Sequence, residues 1–195
     1  MRSSRTRDLA RAGVVAAVYG GLSIAVLQFM PYLSWGPIQL RLSEALTVLP
    51  LFWSGAVPGL WAGTLLANLF NLGAAGPLGW LDVVFGSLAT LLAAMYTRRF
   101  RSRPALALAG PVVINALVVA AYLPAMLSAA GVPLDAVYRI PFVNVALTGG
   151  SPTMYAAMYA FGVVTIGLGQ AAVVYGLGLP LAAALRRSGA LGDTE

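Results

Sequence analysis

One short segment near the start of the chain holds the residues best suited to recognise a ligand. In Gln39-Leu40-Arg41-Leu42-Ser43-Glu44-Ala45-Leu46, an arginine and a glutamate stand three residues apart inside a strongly apolar sequence. A charged side chain at membrane depth costs about 2.5–3.5 kcal/mol on insertion scales, so it persists where it has a partner or a function. Arg41 and Glu44 are therefore the first candidates for a functional site.

The composition indicates that the chain lies in a membrane. Of its 195 residues, 59% are hydrophobic and only 9% are charged, and its mean hydropathy is +0.84. Soluble domains are roughly 45–50% apolar and 25% charged. Apolar runs such as residues 105–121 lack the alternation of polar and apolar residues that a membrane β-barrel requires. We expect an all-α integral membrane bundle in contact with lipid, built as one domain over residues 1–195.

The composition also argues against most kinds of catalysis. The chain has no Cys and no His, which removes thiol nucleophiles, the commonest metal ligand and the commonest general base. We expect no enzyme activity, no catalytic residue, no metal site and no cofactor. The sequence pI near 10.2 arises from arginines beside apolar segments, and membrane topology explains this placement better than nucleic-acid binding does.

Apolar segments separated by Gly- or Pro-containing breaks predict six transmembrane helices. They cover about residues 12–30, 41–55, 57–72, 79–97, 105–129 and 153–185, and residues 131–151 are predicted to form an outer loop. If both termini are cytoplasmic, all three arginine clusters (residues 2–11, 98–103 and 186–187) fall on the cytoplasmic side. The pattern predicts a multi-pass protein of the bacterial cell membrane with both termini inside.

This topology brings polar residues from three helices to one depth in the outer third of the bundle. Carboxylates, amides and aromatic rings that line one cavity suit a planar, hydrogen-bonding ligand that can also be cationic. The predicted substrate-binding residues are Trp35, Gln39, Arg41, Glu44, Asn68, Asn71, Asp82, Asn144 and Tyr155.

Local roles are the alternative for several of these residues. Arg41 and Glu44 are spaced to pair on one helix face, and Asp82 stands where a helix N-cap belongs. Three deeper polar residues, Asn115, Thr165 and Gln170, are expected to hold helices together rather than to bind a ligand.

The first helix carries two ladders of small residues at a spacing of four. One is Ala12-Ala16-Gly20 and the other is Gly13-Ala17-Gly21-Ala25. Small side chains let another helix approach closely. The spacing does not decide between a helix of this chain and a helix of a partner.

The chain resembles the QueT family, the substrate-binding S components of energy-coupling factor (ECF) transporters assigned to queuosine precursors. The resemblance rests on the segment from Gln39 to Pro50, on the segment from Asp82 to Leu92, and on Asn68 between them. It implies a six-helix subunit that captures its substrate from outside and docks, through Ala12, Ala16 and Gly20, on an energy-coupling membrane subunit. Two ATP-binding-cassette ATPases would drive the cycle, and this chain has no G-x-x-x-x-G-K-[ST] loop of its own.

The implied ligand is a 7-deazaguanine such as 7-aminomethyl-7-deazaguanine. Its ring N–H and exocyclic amine suit Glu44, its carbonyl suits Asn68, and its aminomethyl cation suits Asp82. Three other functions stay open: an S component for another vitamin or metabolite, an intramembrane enzyme that uses Glu44 and Asp82 as an acid pair, and a scaffold without a ligand.

Overall fold

The computed structural model describes residues 2–31, 39–134, 138 and 152–188, and over these residues the chain forms six helices and no strand. The all-α prediction and the number of helices are therefore confirmed. The predicted outer loop lies mostly outside the described residues. The helices are α1 (Arg2–Phe29), α2 (Leu42–Leu51), α3 (Ala56–Asn71), α4 (a π turn at Asp82–Gly86 continued by Ser87–Arg99), α5 (Pro104–Ala129) and α6 (Pro152–Ser188, with a π turn at Val174–Gly178).

Helix α2 is the centre of the bundle and contacts all five other helices. It is a 3-10 helix over its ten residues. At a rise of about 2.0 Å per residue, ten residues of 3-10 helix extend roughly 20 Å, further than the same residues would in an α-helix. Three residues per turn align Arg41, Glu44 and Thr47, and Thr47 Oγ1 donates to the Glu44 carbonyl oxygen at 2.6 Å.

Small residues bring α1 and α3 into close, parallel contact. A Cβ atom added at Gly63 would lie 2.7 Å from the Ala16 carbonyl oxygen, and one at Gly59 would lie 2.8 Å from the Ala12 carbonyl oxygen. Gly20 faces the Gly63 carbonyl oxygen in the same way. The Ala12-Ala16-Gly20 ladder was expected to dock a partner, but it packs against α3 of this chain. This is the second of the two alternatives that its spacing left open.

The second ladder on α1 faces away from the bundle. Gly13, Ala17, Gly21 and Ala25 are all exposed, and a Cβ atom at Gly13 or Gly21 would meet nothing within 4 Å among the described residues. The structure thus distinguishes two ladders that have the same spacing in the sequence.

The arginine clusters gather at one end of the bundle. Arg98 Nη1 donates to the Pro50 carbonyl oxygen at 3.3 Å, and the Arg186 guanidinium lies 5.3 Å from the centre of the Phe52 ring. The amino-terminal part of α1 is at this end too, because Ala12 contacts Gly59 near the start of α3. This arrangement places the carboxyl end of α3 at the opposite end of the bundle from the arginines, and the cytoplasmic location of the basic end stays a prediction.

Three helices are long and apolar enough to cross a membrane unaided: Thr6–Phe29, Pro104–Ala129 and Pro152–Ser188. The ten residues of α2 and the sixteen of α3 fall short of the about 20 residues that a spanning α-helix needs. A turn at residues 52–55 divides these two helices. Large apolar side chains such as Leu66, Val113 and Leu168 are exposed on the outside of the bundle, as expected of a surface that contacts lipid.

Candidate functional site

The carboxyl halves of α1 and α3 and the amino ends of α2 and α4 line a small cavity with several polar side chains on its wall. Arg41, Asn68, Asn71 and Asp82, all predicted from the sequence, lie on its wall. Its volume is about 40 Å³, room for only a few water molecules, since one water needs about 10–15 Å³ on this measure. A larger ligand would extend through the open side of the cavity or displace part of its wall. The other lining residues are Tyr19, Ser23, Val26, Leu27, Leu42, Ser43, Thr64 and Ala67.

Asp82 is the point at which groups from α3, α4 and α5 meet Arg41, the residue that precedes α2. Its Oδ1 accepts a hydrogen bond from the Tyr122 hydroxyl of α5 at 2.6 Å and lies 4.0 Å from Nη2 of Arg41. Its backbone carbonyl accepts from Asn68 Nδ2 at 2.7 Å, and the same amide nitrogen lies 3.3 Å from the Ser87 hydroxyl oxygen. Asp82 thus joins α5, α3 and the residue that precedes α2.

This geometry contradicts the two local roles considered for the charged residues. The N-cap of the π turn is Leu81, and no side chain caps it. Arg41 approaches Asp82, 41 residues away in the sequence, whereas Glu44 is bonded to Tyr19. The charges therefore connect helices rather than stabilise one helix.

Gly86 allows the groups around Asp82 to come together. A Cβ atom at this position would lie 2.5 Å from Asp82 Oδ1, 3.0 Å from the Tyr122 hydroxyl oxygen and 3.2 Å from Asn68 Nδ2. The π turn that begins α4 spans Asp82 and Gly86, and such turns occur frequently at functional sites.

Gly86→Ala is expected to displace the Asp82 carboxylate and to weaken ligand binding about tenfold or more, because overpacking a tight site costs about 1–3 kcal/mol. Gly176→Ala is the matched control, since a Cβ atom there meets nothing within 4 Å among the described residues. Equilibrium binding and thermal unfolding of both variants test this prediction. Equal affinity of the parent and Gly86→Ala would contradict it.

Glu44 lies behind the cavity in the core of the bundle, and it is 0% exposed. Its Oε1 accepts a hydrogen bond from the Tyr19 hydroxyl at 2.5 Å. Its Oε2 has no hydrogen-bond partner among the described residues. Tyr19 also lines the cavity, so its side chain connects the cavity wall with the carboxylate.

The two carboxylates do not form the shared pair that acid–base catalysis would use. Asp82 is bonded to Tyr122 and faces Arg41, while Glu44 is bonded to Tyr19. One guanidinium and two carboxylates give the site one excess negative charge when all three are ionised. A monocationic ligand would neutralise this charge, which favours binding in a low-dielectric bundle.

The structure leaves several predicted site residues outside this cluster. Tyr155 is 41% exposed on the outer face of α6, whereas its neighbours Met154 and Met158 point inward. Trp35 and Asn144 lie outside the described residues. Gln39 is buried at the start of the segment that leads into α2.

Sequence reasoning missed Tyr19 and Tyr122, which bond the two carboxylates. Each tyrosine stands in the middle of an apolar helix, where its hydroxyl needs a hydrogen-bond partner. A tyrosine within an apolar helix was therefore the feature of the sequence that could have identified both residues. Ser23 on α1 was also missed, and its hydroxyl donates to the Ser43 hydroxyl oxygen at 2.8 Å.

Comparison with known proteins gives one family and one relative. A family model described as QueT transporter matches residues 9–187. A protein named Queuosine precursor transporter QueT, from Lactococcus lactis subsp. cremoris (strain MG1363), is 29% identical over 92 residues, which are 47% of this chain and 50% of that protein. The match thus spans half the length of this relative. No solved structure matches the chain.

Proposed function

This chain belongs to the QueT transporter family, and we propose that it is the substrate-binding membrane subunit of an ECF-type uptake transporter that captures a queuosine precursor. The observation that carries the proposal is the buried cluster of Arg41, Glu44 and Asp82 at the end of the bundle opposite its arginine clusters. Charged groups buried in a membrane bundle mark substrate pathways and binding sites. With the basic end cytoplasmic, this cluster lies toward the outer end of the bundle, the end at which a substrate from outside arrives.

The groups in the cluster suit 7-aminomethyl-7-deazaguanine. Glu44 Oε2, which has no hydrogen-bond partner among the described residues, can accept from an N–H group of the base. The aminomethyl cation matches the excess negative charge of the cluster, with Asp82 on the cavity wall as its nearest acid. Asn71 lies on the same wall, and its amide can donate to the ligand carbonyl in place of Asn68, which is bonded to Asp82 and Ser87.

Energy for transport comes from partner subunits in this proposal. The chain contains no Lys at all, and therefore no Walker-type phosphate loop. Handover of the substrate would require an energy-coupling membrane subunit and two ABC-type ATPases. Because Ala16 and Gly20 are packed against α3, we assign docking to the exposed ladder Gly13-Ala17-Gly21-Ala25 on the opposite face of α1.

Gly21→Leu is expected to preserve ligand binding and to weaken co-purification with the energy-coupling subunit. The glycine is exposed and a Cβ atom there meets nothing within 4 Å in the described parts of the chain, but a bulky side chain would hold a partner helix away. Ala160→Leu, on the exposed face of α6, is the control. A Gly21→Leu subunit that assembles as the parent does would show that docking uses another surface.

Uptake in cells tests the proposed function as a whole. A strain that cannot make queuosine precursors is expected to acquire queuosine from external 7-aminomethyl-7-deazaguanine when this chain and its partners are present. The Arg41→Ala variant is expected to abolish this uptake, because it leaves Asp82 without the cation that faces it. Uptake that does not depend on the chain would favour a scaffold without a ligand.

A further inference from the structure

Five deeply buried side chains each carry a polar atom with no partner among the described residues, and two of them are Asn115 at Nδ2 and Tyr138 at its hydroxyl. The other three are Gln39 at Nε2, Glu44 at Oε2 and Gln170 at Oε1, and these three residues are 3%, 0% and 4% exposed. Buried polar groups are nearly always hydrogen-bonded, and an unpaired one costs about 1–3 kcal/mol. Such groups in one region of a bundle indicate a site for a polar molecule.

The three side chains belong to one region. A Cβ atom at Gly169 would overlap the carbonyl oxygen of Gln39, so the segment before α2 runs directly over this position of α6. The next residue, Gln170, faces Glu44. Glu44 in turn adjoins the cavity through Tyr19, whose hydroxyl bonds Oε1.

We infer that Gln170 is a substrate-positioning residue, and that Gln39, Glu44 and Gln170 together read a base edge that presents two N–H groups and one carbonyl. As oriented, Gln39 offers a donor, and Glu44 and Gln170 offer an acceptor each. A guanine-type edge presents the complementary set in its ring N–H, exocyclic amine and carbonyl. The inference rests on the proposed function and adds the chemical basis of its specificity.

This inference adds to the packing role that the sequence suggested for Gln170, because its side chain also forms a hydrogen bond with Glu44 of α2. A glutamine that holds two helices together must form hydrogen bonds between them. Its Oε1 accepts none in the part of the chain that the structure describes. Thr165, one turn earlier on α6, instead donates to the Phe161 carbonyl oxygen of its own helix at 2.8 Å.

The experiment compares two ligands that differ only in the exocyclic amine, 7-deazaguanine and 7-deazahypoxanthine, by equilibrium binding to the purified full-length chain. The parent is expected to prefer 7-deazaguanine. Gln170→Met keeps the side-chain length but removes the acceptor, so it should bind 7-deazaguanine about tenfold or more weakly and reduce the ratio between the two ligands. Thr165→Val, on the same helix, should leave both affinities and their ratio unchanged.

The outcomes separate this inference from the proposed function. If the parent binds 7-deazaguanine and a folded Gln170→Met variant retains both the affinity and the ligand ratio, the inference is wrong and the proposed function stands. If the folded parent binds neither ligand, the proposed function fails and the inference fails with it. Gln170→Ala gives the same test should the Met variant not fold, because it also removes the acceptor.

Discussion

Glu44→Gln is expected to lower the affinity for 7-aminomethyl-7-deazaguanine by about a hundredfold or more, which corresponds to roughly 3 kcal/mol. The substitution preserves the shape of the side chain but replaces a carboxylate oxygen with an amide that donates. A donor would then face the N–H groups of the ligand at the position now held by Oε2, which has no partner among the described residues. The change also removes the negative charge that a cationic ligand would neutralise.

Asp8→Asn is the matched control, because Asp8 is an exposed carboxylate on α1. It should bind the ligand as the parent does. Titration calorimetry gives the affinities, and thermal unfolding shows whether each variant is folded. A folded Glu44→Gln variant with an affinity within threefold of the parent would remove Glu44 from the binding site.

Gly63→Leu is expected to prevent recovery of folded protein. Its first side-chain atom would lie 2.7 Å from the Ala16 carbonyl oxygen and 3.1 Å from the Ala16 Cα. These are backbone atoms, so the clash is relieved only if α1 separates from α3. Overpacking usually costs about 1–3 kcal/mol and more where the neighbours cannot relax. Separation of these helices would also remove Tyr19 from Glu44.

Gly13→Leu is the comparison for this prediction, since a Cβ atom at Gly13 meets nothing within 4 Å among the described residues. Both substitutions add the same side chain to a helix glycine. Size-exclusion profiles and unfolding temperatures in detergent should separate them clearly. If Gly63→Leu and Gly13→Leu gave the same profiles and unfolding temperatures, α1 and α3 would not be in the close contact described above.

The sequence identified the charged members of the site because each is anomalous in an apolar segment. Arg41, Glu44 and Asp82 were found in this way, and all three lie at one end of the bundle. Their partners were not predictable, because each bond joins residues distant in the chain. Tyr19 is 25 residues from Glu44, and Tyr122 is 40 residues from Asp82. Spacing along one helix suggested an Arg41–Glu44 pair instead.

The two ladders on α1 show a second limit of local patterns. Both have small residues at a spacing of four, and either could face a helix of the same chain. The choice depends on Gly59 and Gly63 of α3, which contact Ala12 and Ala16. Only the position of α3 distinguishes the face of α1 that packs internally from the face that is exposed.

The 3-10 geometry of α2 could likewise not be predicted from the sequence. Its segment combines apolar residues with Ser43, Glu44 and Thr47, all three of which are buried against other helices. Polar residues three apart, such as Glu44 and Thr47, fit the three residues per turn of a 3-10 helix, but residues three apart also share one face of an α-helix. The sequence therefore predicted a helix there but not its type.

The most direct test of the central claim is titration calorimetry of 7-aminomethyl-7-deazaguanine with the purified full-length chain, repeated in the presence of riboflavin, thiamine and biotin. We expect saturable binding of the deazaguanine that none of the three vitamins reduces. Folded protein that binds one of the vitamins and no deazaguanine would contradict the account, and would indicate an S component for a different substrate.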